Sequence, residues 1–186
     1  MNRLIVLALV AGLAGCVTIE KVEKGDRAVG ERLQVVIEGP WNRAPATGPA
    51  EIWTMEGLPV DQLILYSGLK DGQPIHSGGG SGKSFVFKSS MPPDEIVALF
   101  EGMFTRDGSH FRLTRLEPVD FAGQKGFRFE YALTRRSTNV QLSGLGYGTV
   151  AKGELFAILY MAPRLVFFAR HRDNVERIAR SAHLKP

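Results

Sequence analysis

Four strand-like segments lie between residues 111 and 161 with no helix-like segment between them. In residues 126–133, large apolar side chains alternate with Arg128 and Glu130, which is the period of a strand with one polar face. Residues 155–161 are continuously apolar, which predicts a central strand covered on both faces. The other two segments are 111–116 and 140–151. Because strands that follow one another without helices pair antiparallel, the sequence predicts an α+β protein with a mainly antiparallel sheet.

Two helices and several shorter strands complete this prediction. The first helix follows Ser90, a predicted cap, with Pro92 and Pro93 in its first turn. Its apolar stripe consists of Ile96, Leu99, Phe100, Met103 and Phe104. Asp173 and Glu176 have the spacing of a capping box and predict the start of a terminal helix. The shorter strands are predicted at 33–38, 51–55, 63–66 and 85–87, with an edge strand at 165–169.

Several segments of the second half of the chain resemble the Mog1/PsbP-like fold. They are Met91–Ile96 at the helix start, Gly153–Phe156 after the glycine-rich strand, Leu159–Pro163, and Ile178–Ser181 in the closing helix. The resemblance covers residues 83–184 and implies an α/β/α sandwich, in a family whose members act as binding or assembly factors. It supplies no catalytic residues. The segments Trp41-Asn42 and Trp53–Gly57 are similar to uncharacterised proteobacterial lipoproteins.

The N-terminus has the pattern of a secretory leader. Arg3 precedes eleven residues that are apolar or glycine, fewer than the roughly 20 that a membrane-spanning helix needs. The sequence Leu13-Ala14-Gly15-Cys16 resembles the lipobox of bacterial lipoproteins. This resemblance implies cleavage before Cys16, attachment of a diacylglycerol to its thiol and acylation of the new amine, so that several acyl chains anchor the protein stably. Val17, where an aspartate would imply inner-membrane retention, implies the outer membrane.

The predicted organisation is a leader, a tether and one domain. Residues 1–15 are the lipoprotein signal peptide, and residues 16–32 are the lipidated cysteine and a mixed-charge tether with one short strand. Residues 33–186 form a single periplasmic α+β domain. Because Cys16 is the only cysteine, no thiol remains for nucleophilic catalysis.

The sequence contains no motif for a cofactor, a metal ion or a catalytic centre. Ser77–Ser84 is glycine-rich, but it lacks the first glycine of a phosphate loop and precedes a predicted strand instead of a helix. No two histidines are spaced as metal ligands on one helix face, so we interpret all four as surface residues. They are His76, His110, His171 and His183. There is no G-x-S-x-G motif, and Glu117 and Asp120 are interpreted as strand-end residues. We therefore predict no cofactor, no metal and no enzymatic activity.

Two groups of residues are candidates for a ligand or partner surface. Gly144, Gly146 and Gly148 share one face of a strand and leave a strip without side chains. Such a strip indicates either a closely packed layer or a bulge, or a shallow floor for a ligand or peptide. The second group is Arg164, Arg170 and Arg172. They lie in a basic C-terminal segment and are either a solvated face or a surface for an anionic lipid.

The sequence thus predicts a lipid-anchored cell-envelope protein that acts as a binding or assembly module. The expected partners are the membrane, through the lipid anchor, and another envelope protein or an anionic lipid. Nucleic acid is excluded by the predicted compartment. The alternatives are an envelope enzyme of hydrolase type, in which carboxylates converge only in the folded chain, and a structural lipoprotein linked to stress.

Overall fold

The structure, a computed structural model, describes residues 19–45, 48–76 and 85–185. The strands are β1 (Glu20–Val22), β2 (Gly25–Val29), β3 (Leu33–Ile37), β4 (Trp41–Ala44), β5 (Ala50–Thr54), β6 (Gln62–Lys70), β7 (His110–Phe121), β8 (Gln124–Thr134), β9 (Gln141–Ala151), β10 (Glu154–Pro163) and β11 (His183–Leu184). The helices are α1 (Pro93–Phe104) and α2 (Ala169–Ser181), and a π-helical turn (Arg164–Phe168) leads directly into α2. No helix in these ranges is long and apolar enough to cross a membrane.

Eight strands form one antiparallel sheet in the order β1-β4-β5-β6-β10-β9-β8-β7. β10 lies inside this sheet, between β6 and β9, and its residues 155–162 are all buried. Continuous burial explains the continuous apolar run, because both faces of a central strand need apolar side chains. The predictions of a mainly antiparallel sheet and of a central strand at 155–161 are therefore confirmed.

The two faces of the large sheet are covered by different layers. On one face, α1 buries Ile96 and Phe100 against Phe129 and Leu159. On the other face lie α2 and a second sheet of three strands, in the order β11-β3-β2. This is the predicted α/β/α arrangement, with a small sheet added beside α2. The polar face predicted for β8 is covered as well, since Arg128 is buried there.

Helix α1 starts later than the sequence predicted. Its first residue is Pro93, and Pro92 occupies the cap position without a side-chain hydrogen bond, so the prediction of a Ser90 cap is wrong. Proline has no backbone N–H, so Pro93 leaves no unpaired donor in the first turn. Asp94 and Glu95 place negative charge at the positive end of the helix. These two effects make a serine cap unnecessary.

Helix α2 starts earlier than predicted, and the edge strand at 165–169 is absent from the described chain. The segment forms the π-helical turn and the first helical residue instead. Asp173, predicted as a cap, lies within the helix. The reason is that the buried stripe of α2 extends back from Val175 to His171, two residues before the predicted cap Asp173.

The N-terminal segment is more ordered than the predicted tether with its single strand. Residues 20–22 pair with β4 at the edge of the large sheet, and residues 25–29 pair with β3 in the small sheet. Val22 and Val29 are buried in the core, so these strands belong to the folded domain. The start of the domain therefore moves from residue 33 to residue 20, and a tether stays a prediction only for the residues before β1.

Candidate functional site

The alternate glycines of β9 lie beneath aromatic rings of β8. The cross-strand pairs are Gly144 with Tyr131, Gly146 with Phe129 and Gly148 with Phe127. A Cβ atom added at any of the three glycines would overlap the ring of its partner. The ring of Phe129 then stacks on Phe100 of α1, with 6.1 Å between ring centroids. The hypothesis of a ligand floor is therefore wrong, because the rings that carry α1 fill the strip.

The three candidate arginines are not on an edge strand, and two of them are ion-paired. Arg170 contacts Glu56 at 3.0 Å, and Arg172 contacts Glu130 at 2.9 Å. Their charges are therefore neutralised within the fold. Arg164, at the start of the π-helical turn, is exposed and has no carboxylate within 4 Å among residues 19–45, 48–76 and 85–185.

Two sequence features lie outside the described residues. They are Cys16 with its lipobox-like segment, and the glycine-rich loop Ser77–Ser84. Lipidation of Cys16 stays a prediction.

A buried carboxylate organises the loop between β5 and β6. Asp61 is fully buried and accepts hydrogen bonds from the Thr54 hydroxyl at 2.5 Å and from the backbone nitrogens of Met55 and Glu56 at 3.0 and 2.9 Å. These bonds fold residues 54–61 back on themselves. As a result, the side chain of Glu56 points towards the start of α2.

Glu56 meets a histidine that the sequence analysis assigned to the surface. Oε1 of Glu56 lies 2.7 Å from Nε2 of His171, and His171 is buried, so the surface interpretation of this residue is wrong. The hydrogen bond from His171, assisted by Arg170, lowers the pKa of the Glu56 carboxyl against the opposing effect of burial. A histidine–carboxylate pair is a component of many catalytic sites. Here it joins the loop to α2, and neither residue lines any of the clefts described below.

The Tyr160 hydroxyl is a second buried polar group near this pair. It has no hydrogen-bond partner among the described residues. Burial, with the nearby Asp61 and Glu56 carboxylates, raises its pKa. A phenol with a raised pKa stays protonated at neutral pH. No three metal-ligating side chains converge anywhere in the described parts of the chain.

A cleft lies between the C-terminal half of α1 and strands β5 and β6. It encloses about 310 Å³. The described residues that line it are Pro45, Gly48, Pro49, Ala50, Ile52, Gln62, Ile64, Tyr66, Ile75, His76, Met103 and Phe104. We call this cleft the α1 groove. The Tyr66 hydroxyl in this lining donates to the Ile75 carbonyl at 2.8 Å, and Gln62 and His76 are the other polar side chains, so most of the described lining is apolar.

The α1 groove continues into a polar cleft of about 450 Å³. The two share Gln62, His76, Met103 and Phe104. The second cleft adds Arg106, Asp107, Ser109, Leu133, Arg135 and Met161, and we call it the basic mouth. The Ser109 side chain, the Ser109 nitrogen at 2.9 Å and the nearby Arg135 charge together lower the pKa of the Asp107 carboxyl. The mouth therefore has two guanidinium groups and one carboxylate that already has a donor.

Sequence reasoning did not identify this groove, although it placed Met103 and Phe104 on the apolar stripe of α1. Both residues are only half-buried, whereas Ile96 and Phe100 are fully buried. The stripe therefore extends beyond the part of the sheet that covers it. An apolar helix stripe that is longer than the sheet packed against it indicates a groove. The extent of the sheet, however, depends on the register of β5 and β6.

No protein-family model matches the chain, and no curated protein matches it. Solved structures similar to it include the solution structure of cyanobacterial PsbP (CyanoP) from Synechocystis sp. PCC 6803, which is 13% identical over 94% of this chain and 96% of that chain, with a TM-score of 0.58. They also include the crystal structure of LpqN, involved in cell envelope biogenesis of Mycobacterium tuberculosis, which is 12% identical over 90% and 92% of the two chains, with a TM-score of 0.46. The similarity to CyanoP establishes a PsbP-like fold, as the sequence resemblance implied.

Proposed function

We propose that this chain is a lipid-anchored envelope protein that binds a single-chain amphiphile in the α1 groove. The lipobox-like segment ending at Cys16 supports an anchor, and Val17 supports an outer-membrane location with the domain facing the periplasm. The PsbP-like fold is compatible with a binding or assembly module. Catalysis is not part of the proposal.

The observation that carries this proposal is the continuity of an apolar groove with a basic mouth. Ile52, Ile64 and Ile75 line the groove from three separate segments, while Arg106 and Arg135 lie at the mouth. Binding sites of small molecules are typically apolar clefts of a few hundred Å³ with a few polar groups that fix orientation. The α1 groove and its mouth match this description.

The lining supports an amphiphile as the ligand. An alkyl chain gains about 0.8 kcal/mol for each methylene that leaves water, and the groove offers it aliphatic and aromatic contacts. A phosphate or carboxylate head would lie at the mouth, where guanidinium groups form charge-assisted hydrogen bonds. The predicted ligand therefore has one alkyl chain and an anionic head, as a fatty acid or an alkyl phosphate does.

Calorimetric titration with dodecyl phosphate, below its critical micelle concentration, tests the proposal. The protein is the chain from residue 16 onwards with Cys16→Ser, which contains every described strand and helix. We expect saturable binding at one site and binding of octyl phosphate that is weaker by a factor of at least about 100, since four methylenes are lost. Equal binding of the two probes would contradict an apolar site.

A variant that fills the groove supplies the specific test. Ile52→Trp places a larger ring in the cleft from the half-buried face of β5, and we expect it to abolish dodecyl phosphate binding without loss of thermal stability. Val36→Trp is the matched control, because Val36 is exposed on β3 and does not line the groove. Binding that survives Ile52→Trp places the ligand elsewhere.

Lipidation of Cys16 is tested separately, in bacterial cells that produce the full-length protein. Wild-type protein should remain with the membrane fraction after high-salt and carbonate washes, and it should incorporate an alkyne-labelled fatty acid. Cys16→Ser should lose both properties. If the variant still incorporates the label, lipid is attached at another residue.

The alternative of an envelope hydrolase has less support. The one buried histidine–carboxylate pair of the described residues, His171 with Glu56, is used to join a loop to α2. The alternative of a purely structural lipoprotein predicts no ligand at all, so the dodecyl phosphate titration decides between it and the binding module.

A further inference from the structure

One end of the large sheet collects four connections of the chain. The register places the C-terminal ends of β5, β8 and β10 and the N-terminal ends of β6, β7 and β9 at this end. The connections are residues 55–61, 105–109 and 135–140 and the π-helical turn. Arg135 donates to the Pro59 carbonyl at 3.4 Å, and Arg136 lies against Gly108, so the connections form one surface.

Apolar side chains are exposed on this surface. Leu165 is 84% exposed and Val166 is 51% exposed, both in the π-helical turn, and Leu58 and Val140 are 46% and 39% exposed in neighbouring connections. They are four of the seven large apolar residues that are exposed in the described chain. Such clustering marks an interaction site, because scattered single residues would be the ordinary pattern.

The same surface carries arginines that form no ion pair with the described residues. They are Arg106, Arg112, Arg135, Arg136 and Arg164, and none lies within 4 Å of a carboxylate among residues 19–45, 48–76 and 85–185. Arg112 and Arg164 line one cleft together with His110. We call this set, with Leu58, Val140, Leu165 and Val166, the arginine end.

The acids of the four connections are already engaged. Asp61 is buried and hydrogen-bonded to its own loop, and Glu56 contacts His171 and Arg170. Asp107 accepts a hydrogen bond from the Ser109 nitrogen. The five arginines outnumber the carboxylates of Asp61 and Asp107, so the arginine end presents net positive charge around exposed aliphatic groups.

We propose that the arginine end docks on the surface of an anionic lipid bilayer. Aliphatic tips insert at the boundary between headgroups and acyl chains, and a surrounding ring of guanidinium groups binds the phosphates. The five arginines require a negatively charged partner, and the exposed Leu165 and Val166 require one with an apolar layer. An anionic bilayer has both. The inference rests on the proposed envelope location but not on the α1 groove. If it holds, Arg106 and Arg135 present the basic mouth to the lipid headgroups.

Flotation with vesicles tests this docking, again with the chain from residue 16 onwards that carries Cys16→Ser. The vesicles contain phosphatidylcholine with or without one quarter phosphatidylglycerol, at 0.05 and 0.5 M NaCl. We expect binding only to the anionic vesicles and only at low salt, because the attraction is screened within about 3–5 Å near 0.5 M salt. Arg112→Gln with Arg164→Gln should weaken this binding by a factor of roughly 25.

A matched pair of substitutions controls for total charge. Arg177→Gln with Arg180→Gln also removes two positive charges, but from the exposed face of α2, at least nine residues after the π-helical turn. This control should bind like the wild type, and Leu165→Ser should weaken the binding to anionic vesicles at low salt. Absence of wild-type binding at low salt, or equal weakening by the two arginine pairs, overturns the proposal.

The two proposals fail separately. Arg112→Gln with Arg164→Gln leaves the α1 groove intact and should retain dodecyl phosphate binding. Ile52→Trp leaves the arginine end intact and should retain vesicle binding. Loss of both dodecyl phosphate binding and vesicle binding in either variant would show that the two ligands use the same surface, and would overturn the proposal of a separate docking surface.

Discussion

Arg128 of β8 and Glu176 of α2 are joined by an ion pair of 2.9 Å between Nη2 and Oε1. The same guanidinium group contacts Glu130 at 2.6 Å, and its Nε donates to the Tyr147 hydroxyl at 3.0 Å. Only 10% of the Arg128 side chain and 15% of the Glu176 side chain are exposed. The pair therefore fixes the position of α2 on the sheet, and with it the direction of the π-helical turn.

Arg128→Met should destabilise the protein by about 3 kcal/mol, because it leaves the partly buried Glu130 and Glu176 with only the more exposed Arg172 as a shared cation. Urea unfolding measures this change. Arg177→Met is the control, since Arg177 and its partner Glu38 are both about half exposed and such a surface pair contributes about 0.5 kcal/mol. Equal effects of the two substitutions would contradict the assigned role of Arg128.

Gly146→Ala should destabilise the protein by about 2 kcal/mol, because the new methyl group overlaps the Phe129 ring in a closely packed layer. Gly39→Ala is the control, since an added Cβ there meets nothing within 4 Å. Combining Gly146→Ala with Phe129→Leu should cost less than the sum of the two single changes, because the shorter side chain vacates the space of the ring. Additive costs would show that the ring and the glycine are independent.

In the β8–β9 pair, the sequence predicted the strands but not the contacts between them. The period-two pattern of residues 126–133 identified the strand and both of its faces, because burial in a sheet depends on local alternation. The same pattern could not place Phe129 over Gly146, since that contact depends on register between strands. The predictions that Arg170 and His171 are surface residues without partners were wrong for a related reason, because their partner Glu56 lies more than 100 residues earlier in the chain. Contacts over such separations leave no periodic signal.

Stability should fall in acid through the carboxyls of Glu56 and Glu176. The hydrogen bond from His171 lowers the pKa of the Glu56 carboxyl from its ordinary value of 4.5. At Glu176, burial raises the pKa, but the hydrogen bonds from Arg128 and Arg172 outweigh this effect and lower it below 4.5. A carboxyl with a lowered pKa in the folded state stabilises the protein above its unfolded pKa and loses that contribution as the pH falls through the folded value.

The urea midpoint should therefore be constant in this respect above about pH 5 and decline below pH 4.5. Glu176→Gln should be less stable than the wild type at pH 6 but should show a shallower decline between pH 4.5 and pH 3. Parallel profiles for the two proteins would contradict the contribution assigned to Glu176.

The central claim is that the α1 groove holds the alkyl chain of an anionic amphiphile. Its most direct test is an NMR titration of the ¹⁵N-labelled chain from residue 16 onwards, carrying Cys16→Ser, with dodecyl phosphate below its critical micelle concentration. We expect saturable shifts of the amides of Ile64, Ile75, Met103 and Phe104, and no shift of Leu165 or Val166. Shifts confined to Leu165 and Val166, or no saturable shift at all, would contradict it.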